Sequence, residues 1–249
     1  MSEALLRASS LVKRFGAVMA SDGLNLEVYP GEIHALIGPN GAGKTTAVAQ
    51  LSGEMRPDAG TVQFDGRDVT RLSADARARA GLARSFQITS LFLGFTAEDN
   101  VAMAIQAHQG HSFRFWGDAR EDETLREPAR AVLARVGLDG RGDVLAANLA
   151  HGEQRQLELA MALATEPKLL LLDEPMAGMG HDESHRMMGL LAGLKGKLAI
   201  LLVEHDMDVV FSLADRITVL VYGRSIASGA PEDIRANADV RDAYLGADA

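Results

Sequence analysis

No cysteine occurs among the 249 residues, so neither a disulfide framework nor thiolate chemistry is open to this chain. Aromatics are scarce, 5% of the chain with a single tryptophan, and the core must be built from aliphatic side chains. Long apolar runs are missing too. Runs such as "LLLL" at Leu169–Leu172 and "LAILLV" at Leu198–Val203 fall far short of the roughly 20 residues a bilayer-spanning helix needs, and both suit buried strands. The start, "MSEALLRASS", lacks the basic head and apolar stretch of a secretory signal. The expectation is a cytoplasmic protein whose membrane role, if any, comes through a partner. An excess of base is also lacking: 25 Lys and Arg stand against 34 Asp and Glu, a net charge of −9. A nucleic-acid partner needs a basic face and is not expected.

What is present is an ordinary globular balance, with 47% hydrophobic and 24% charged residues, in a chain long enough for one large domain. Residues Leu5 to Tyr29 alternate apolar and polar positions and predict antiparallel strands, closed by a turn at Pro30–Glu32. "IHALIG" (Ile33–Gly38) predicts a buried strand, followed by a helix over Thr46–Gly53. A hairpin is expected from turn signals at Asp58–Gly60 and Asp65–Gly66, then a short helix capped by Ser73 and closed by Gly81. From Ile88 to about Leu163 the pattern is mostly helical. Beyond it, strands at Leu169–Leu172, Leu198–Val203 and Ile217–Val221 alternate with helices from Asp182 and over Asp206–Ala214. That alternation predicts an α/β fold with a mostly parallel sheet, joined to an N-terminal antiparallel β-subdomain and an α-helical subdomain.

"GPNGAGKT", Gly38 to Thr45, satisfies G-x-x-x-x-G-K-[ST] between a predicted strand and a predicted helix. The residue types follow from the chemistry. Gly38, Pro39, Asn40, Gly41, Ala42 and Gly43 would wrap backbone N–H groups around phosphate oxygens, and the helix start at Lys44–Thr46 adds unpaired donors. Lys44 would neutralise the β- and γ-phosphates, and the Thr45 hydroxyl suits Mg²⁺. From average usage such a pattern arises by chance on the order of once in a hundred chains of this length. The expectation is a nucleoside triphosphate site.

"LLLLDEP" sets Asp173 and Glu174 at the end of a buried strand, where ligands bind in open α/β sheets. Asp173 is placed to approach the metal held by Thr45, and Glu174 to act as general base on an attacking water. A second buried strand ends in "VEHDM", bringing His205 to the same edge. His at a strand end is more often structural than catalytic, and Gln87 in "ARSFQITS" would by itself be taken as a surface residue.

Together these elements resemble the nucleotide-binding subunit of ABC transporters over nearly the whole chain. The resemblance makes Gly38–Thr45 the Walker A loop, Gln87 the Q-loop residue and Leu149–Glu153 the signature. It makes Asp173 the Walker B acid, Glu174 the catalytic carboxylate, His205 the H-loop residue and Phe15 the aromatic stacking on adenine. "FQITSLF", "DEPMAGM", "VEHDM" and "VRDAYLG" look like the branch serving branched-chain amino acids, urea and amides, or related small carboxylates. What this implies is a peripheral ATPase on the cytoplasmic face of the inner membrane, hydrolysing ATP with Mg²⁺ to drive uptake of branched-chain amino acids or, alternatively, of urea, amides or other small carboxylates. A lipopolysaccharide-export motor and a nucleotide-gated module without turnover are the competing readings. The family mechanism implies a head-to-tail pair, each ATP lying between one Walker A loop and the other subunit's signature. The partner is a second copy or a paralogue, with two integral membrane permease subunits and, indirectly, a periplasmic solute-binding protein. Gln87 would sense Mg²⁺ and the γ-phosphate. One domain is expected, its core in residues 1–87 and 166–249 and its helical subdomain in 88–165.

Three features depart from the resemblance or compete with it. In the signature, Ala150 lacks the usual serine hydroxyl, and His151 replaces a glycine, which points to a left-handed backbone there; Gly152 and Glu153 complete the loop. Gly180 stands where the family usually has an aspartate. "HDESH" (His181–His185) has two histidines at i and i+4, yet Asp182 sits where a metalloprotease glutamate should, so a solvated helix start is expected. Phe92, Phe95, Phe113, Phe115 and Trp116 are expected to form the small core of the helical subdomain, with partial exposure as a docking groove the alternative.

Overall fold

The computed structural model describes residues 3–84, 91–109 and 122–245. Gln87, Phe113, Phe115 and Trp116 lie outside the described residues. The chain divides into two units, one comprising Met1–Arg84, Lys168–Glu174 and Leu191–Ala249, the other Ser85–Pro167 and Pro175–Leu190.

In the first unit, the alternating N-terminal segment forms β1 (Leu6–Phe15) and β2 (Val18–Val28), an antiparallel pair with Leu6 opposite Val28 and Phe15 opposite Val18. The buried run after the Pro30 turn is β3 (Ile33–Ile37), and α1 (Lys44–Ser52) follows the glycine-rich loop. Strands β4 (Ala59–Phe64) and β5 (Arg67–Asp68) turn at Asp65–Gly66 as expected. The earlier turn signal differs from the expectation: Ala59 and Gly60 already belong to β4, because Gly60 lies too close to the Ser10 carbonyl for any side chain. These strands make a four-stranded antiparallel sheet ordered β2-β1-β4-β5.

Helix α2 (Ala74–Arg79) starts at the Ser73 cap, whose hydroxyl accepts from the Ala76 N–H at 3.3 Å. It leads to β6 (Leu82–Arg84). Next, among the described residues of the second unit, come the helices α3 (Ala97–Gln109), α4 (Glu123–Arg135) and α5 (His151–Leu163). The chain then returns to the first unit as β7 (Leu169–Asp173). Helix α6 (His181–Leu194) begins in the second unit and ends in the first, followed by β8 (Ala199–Val203), α7 (Met207–Leu213), β9 (Arg216–Val221), β10 (Arg224–Gly229), α8 (Pro231–Ala236) and α9 (Ala238–Leu245). The large sheet has the order β10-β9-β3-β8-β7-β6, parallel except for the edge strand β10. Strands β3, β7 and β8 are buried at every position, the expected outcome for central parallel strands covered on both faces.

Val48 and Leu51 of α1 sit in one core with Leu11, Leu24 and Phe64 of the antiparallel sheet and Leu171 and Leu201 of the parallel one. The helix that opens at the phosphate loop is thereby clamped along its length. Its far end is held by Arg77, which is fully buried. The guanidinium donates to the carbonyls of Gln50 (2.8 Å), Leu51 (2.7 Å) and Thr70 (3.1 Å), and burial pulls its pKa down to about 10. A cation at a helix C-terminus also complements the helix dipole. Arg77→Met keeps the apolar stem but strands two buried carbonyls and a part-buried third. It is expected to lower stability by about 3 kcal/mol, read as a fall in the urea midpoint.

In the second unit, α3 and α4 bury Val101, Ile105, Leu125 and Leu133. Ion pairs from Arg126 to Asp99 (2.7 Å) and Glu98 (3.2 Å) fasten the pair. The expected aromatic core is corrected by Phe92 and Phe95, which are 52% and 38% exposed and meet edge to face at 6.0 Å. The aliphatic residues already fill the helix interface, and Asn100 pins the segment before α3 by bonding both the N–H and the carbonyl of Phe92.

Candidate functional site

Strand β3 delivers the chain into the glycine-rich loop, and the Ala47 N–H bonds the Gly43 carbonyl at 2.8 Å to start α1. At Gly43 the backbone is left-handed (φ 101°), and a Cβ there would lie 2.2 Å from the Ala20 carbonyl oxygen of β2. Only glycine fits. The other side of the loop is held by the β9–β10 turn, whose Gly223 N–H donates to the Ala42 carbonyl at 2.9 Å. The Lys44 ammonium donates to the carbonyls of Gly38 (2.6 Å) and Pro39 (3.2 Å), curling back over its own loop. Burial lowers its pKa, opposed by the charges of Glu174 and Asp173. Gly38 is buried, Pro39 and Thr46 are half-buried, and Asn40, Gly41 and Thr45 are exposed, so the loop presents backbone and hydroxyl groups outward.

Across the parallel sheet, β7 ends at Asp173, which is 5% exposed. Burial raises the Asp173 pKa, and the Arg84 guanidinium, with Nη2 3.3 Å from Oδ2, opposes that shift. Arg84 also pairs with Glu54. Glu174 has a left-handed backbone (φ 50°) and donates its N–H to the Val203 carbonyl at 2.9 Å. A non-glycine residue in that region costs on the order of 1 kcal/mol and is a recurrent mark of functional sites. The Glu174 Oε1 lies 3.9 Å from His205 Nδ1, which is also 3.8 Å from Glu204 Oε2. Thus Lys44, Asp173, Glu174 and His205 belong to one unit and to neighbouring strand ends. Phe15 closes β1 and is 48% exposed, its ring 5.8 Å from the Lys13 ammonium. Gln87 lies outside the described residues.

The second unit holds the loop before α5. Ala150 is the helix N-cap with extended backbone (φ −61°, ψ 159°) and contributes no side-chain bond. Its N–H is satisfied by the Glu153 carboxylate at 2.9 Å, which also pairs with Arg141 at 2.8 Å. Burial pushes Glu153 up, but Arg141 and the Ala150 N–H outweigh it and hold its pKa low. His151 corrects the expectation of a left-handed backbone: it is the first residue of α5 and fully helical. Its Nε2 lies 3.4 Å from the Ala177 carbonyl, within the turn that carries Gly180. His181 and Asp182 are almost fully solvated, as expected of a helix start, and the rings of His181 and His185 stack with centroids 6.4 Å apart.

Sequence reading missed Arg84 and Glu183. Arg84 closes a three-residue edge strand with no periodic signal. Glu183 sits in the segment expected to be a solvated helix start, and is instead half-buried against the signature loop.

A family profile described as ABC transporter matches residues 21–177, and one described as Branched-chain amino acid ATP-binding cassette transporter matches 224–249. The chain is 41% identical to the high-affinity branched-chain amino acid transport ATP-binding protein LivG of Escherichia coli (strain K12), with 99% of each chain covered. It is 38% identical, again over 99% of each, to BraF of Pseudomonas aeruginosa, which bears the same description. Among solved structures it is similar to the ADP conformation of MJ1267, an ATP-binding cassette of an ABC transporter, with TM-score 0.86, 28% identity and coverage of 98% and 100%. A nucleotide-free cassette from an ABC transporter matches with TM-score 0.84 and 27% identity over 97% and 99%.

Proposed function

The chain belongs to the ABC transporter ATP-binding family, and from that premise we propose that it is the ATP-hydrolysing subunit of an importer of branched-chain amino acids. The observation carrying the activity is the meeting, in one unit, of a complete phosphate loop with Asp173, Glu174 and His205 at adjacent strand ends. The observation carrying the solute is the C-terminal match at 224–249 together with full-length likeness to LivG and BraF.

In this reading the loop N–H groups and Lys44 hold the β- and γ-phosphates, and Phe15 stacks on the adenine. The Thr45 hydroxyl and Asp173 carboxylate, with Gln87, are hard oxygen donors of the kind Mg²⁺ accepts. When bound, Mg²⁺ neutralises charge on the β- and γ-oxygens. Glu174 takes a proton from water as the water oxygen bonds to the γ-phosphorus and the bond to the β-bridging oxygen breaks. His205 orients that water and the γ-phosphate. The signature at Ala150, His151, Gly152 and Glu153 completes the ATP site of a second ABC ATPase subunit, identical or paralogous, in a head-to-tail pair.

Among the described residues no helix is long and apolar enough to cross a membrane. Two integral permease subunits would therefore hold the chain at the cytoplasmic face, with a periplasmic binding protein presenting the solute. The helical subdomain of residues 88–165 would receive them, and exposed Phe92, Leu93 and Phe95 give it an apolar contact. The test is solute-stimulated ATP hydrolysis by the full transporter in proteoliposomes. Stimulation by the binding protein loaded with leucine, isoleucine or valine is expected. Stimulation by urea or an amide instead would reassign the solute, and none by any small solute would overturn the importer reading.

A further inference from the structure

One side chain joins the signature loop to the position where the aspartate is replaced by Gly180. The Glu183 carboxylate accepts from the Gly152 N–H through Oε1 (3.3 Å) and from the Gly180 N–H through Oε2 (3.1 Å). Gly152 is the second residue of α5, so its N–H is one of the helix's unpaired first-turn donors. A serine at position 150 could cap that turn, but Ala150 has no oxygen to offer. Glu183 supplies the cap from another helix, 31 residues away. The fit is close: a Cβ at Gly152 would stand 2.6 Å from Oε1 and 2.9 Å from the Glu183 Cγ, so the glycine leaves room for this side chain. His151 adds a second tie to the neighbouring turn through the Ala177 carbonyl, and a Cβ at Gly178 would stand 3.2 Å from its ring nitrogen.

A carboxylate oxygen on a helix N-terminal N–H occupies the position a phosphate oxygen would take. We infer that Glu183 is a positioning residue that holds the Gly152 donor in reserve, and that the partner subunit's γ-phosphate must displace it for the head-to-tail pair to close. Displacement also frees the Gly180 N–H, so phosphate engagement at the signature loosens the start of α6 in the same event. The negative charge of Glu183 opposes the incoming phosphate until it moves aside. This inference rests on the head-to-tail reading above.

The test uses the full chain carrying Glu174→Gln, compared with the same chain carrying also Glu183→Gln or Glu183→Ala. The ATP concentration for half-maximal dimerisation is expected to fall roughly three- to tenfold in both variants, with binding of a fluorescent ATP analogue to the monomer unchanged. A merely structural role would weaken dimerisation. Amide exchange at Gly152 and Gly180 in the monomer is expected to accelerate together in Glu183→Ala. Unchanged exchange at both amides would overturn the inference, as would faster exchange with a half-dimerisation concentration equal to or above the parent's. If the parent forms no ATP-dependent dimer, alone or with its paralogous partner, the head-to-tail reading itself fails, and with it the proposed displacement, whatever the exchange shows of the bridge.

Discussion

Replacing Glu174 by Gln is expected to lower the steady-state ATPase rate about 10³-fold while ATP affinity stays within about twofold of the parent. The amide is isosteric with the carboxylate but cannot take the water proton. Nothing else at the strand end needs to move, because the residue is fixed through its backbone. Its N–H is bonded to the Val203 carbonyl, and its left-handed conformation is set by the chain leaving β7. In the proposed reading the phosphate is held by the loop and by Lys44 at the start of α1, away from the end of β7, and that hold survives the change. Phosphate release and equilibrium binding of ATP measure the two quantities separately. A variant turning over within tenfold of the parent would move the general base to another residue.

Gly43→Ala is expected to weaken ATP binding at least about 100-fold and to lower the melting temperature. The new methyl would stand 2.2 Å from the Ala20 carbonyl oxygen, a backbone atom of β2, and on a backbone at φ 101°. Ala20 is not free to retreat, because its strand pairs with β1 and its neighbourhood is bonded to the β9–β10 turn through the Asp22 N–H and Gly223 carbonyl at 2.9 Å. The loop must open, and its N–H groups no longer converge on phosphate. Gly41→Ala is the control. Its backbone is also left-handed (φ 78°), but no atom lies within 4 Å of the added Cβ, so the expected penalty is only the backbone strain of about 1–2 kcal/mol. Calorimetry of ATP binding to both variants distinguishes the effects, and equal losses would show that strain rather than collision governs the loop.

The sequence carried the phosphate loop and the acids of β7 openly, because their chemistry is written in contiguous spacing. Lys44 is six residues from Gly38 whatever surrounds it, and Asp173 follows an unbroken apolar run that can only be buried. The parallel sheet was legible for the same reason. Strand β10 was not, since "RSIASG" is a half-exposed edge with no apolar run, and β6 is only three residues long. The helical backbone of His151 was not legible, because a glycine-to-histidine replacement points to an unusual backbone whereas the helix simply begins there. Glu183 could not be found by pattern. Its partners are Gly152 in a distant helix start and Gly180 in the preceding turn, and neither hydrogen bond leaves a signature in residue types. The exposure of Phe92 and Phe95 has a related cause: apolar residues beside a helix start belong to the core only when the helices leave room.

The claim on which the rest depends is that this chain handles ATP as half of a nucleotide-bridged pair. Sedimentation velocity of the Glu174→Gln chain, alone or with its paralogous partner, tests it most directly. A doubling of mass with MgATP and none with MgADP is the predicted result. A monomer under saturating ATP in both settings, with nucleotide demonstrably bound, would contradict it.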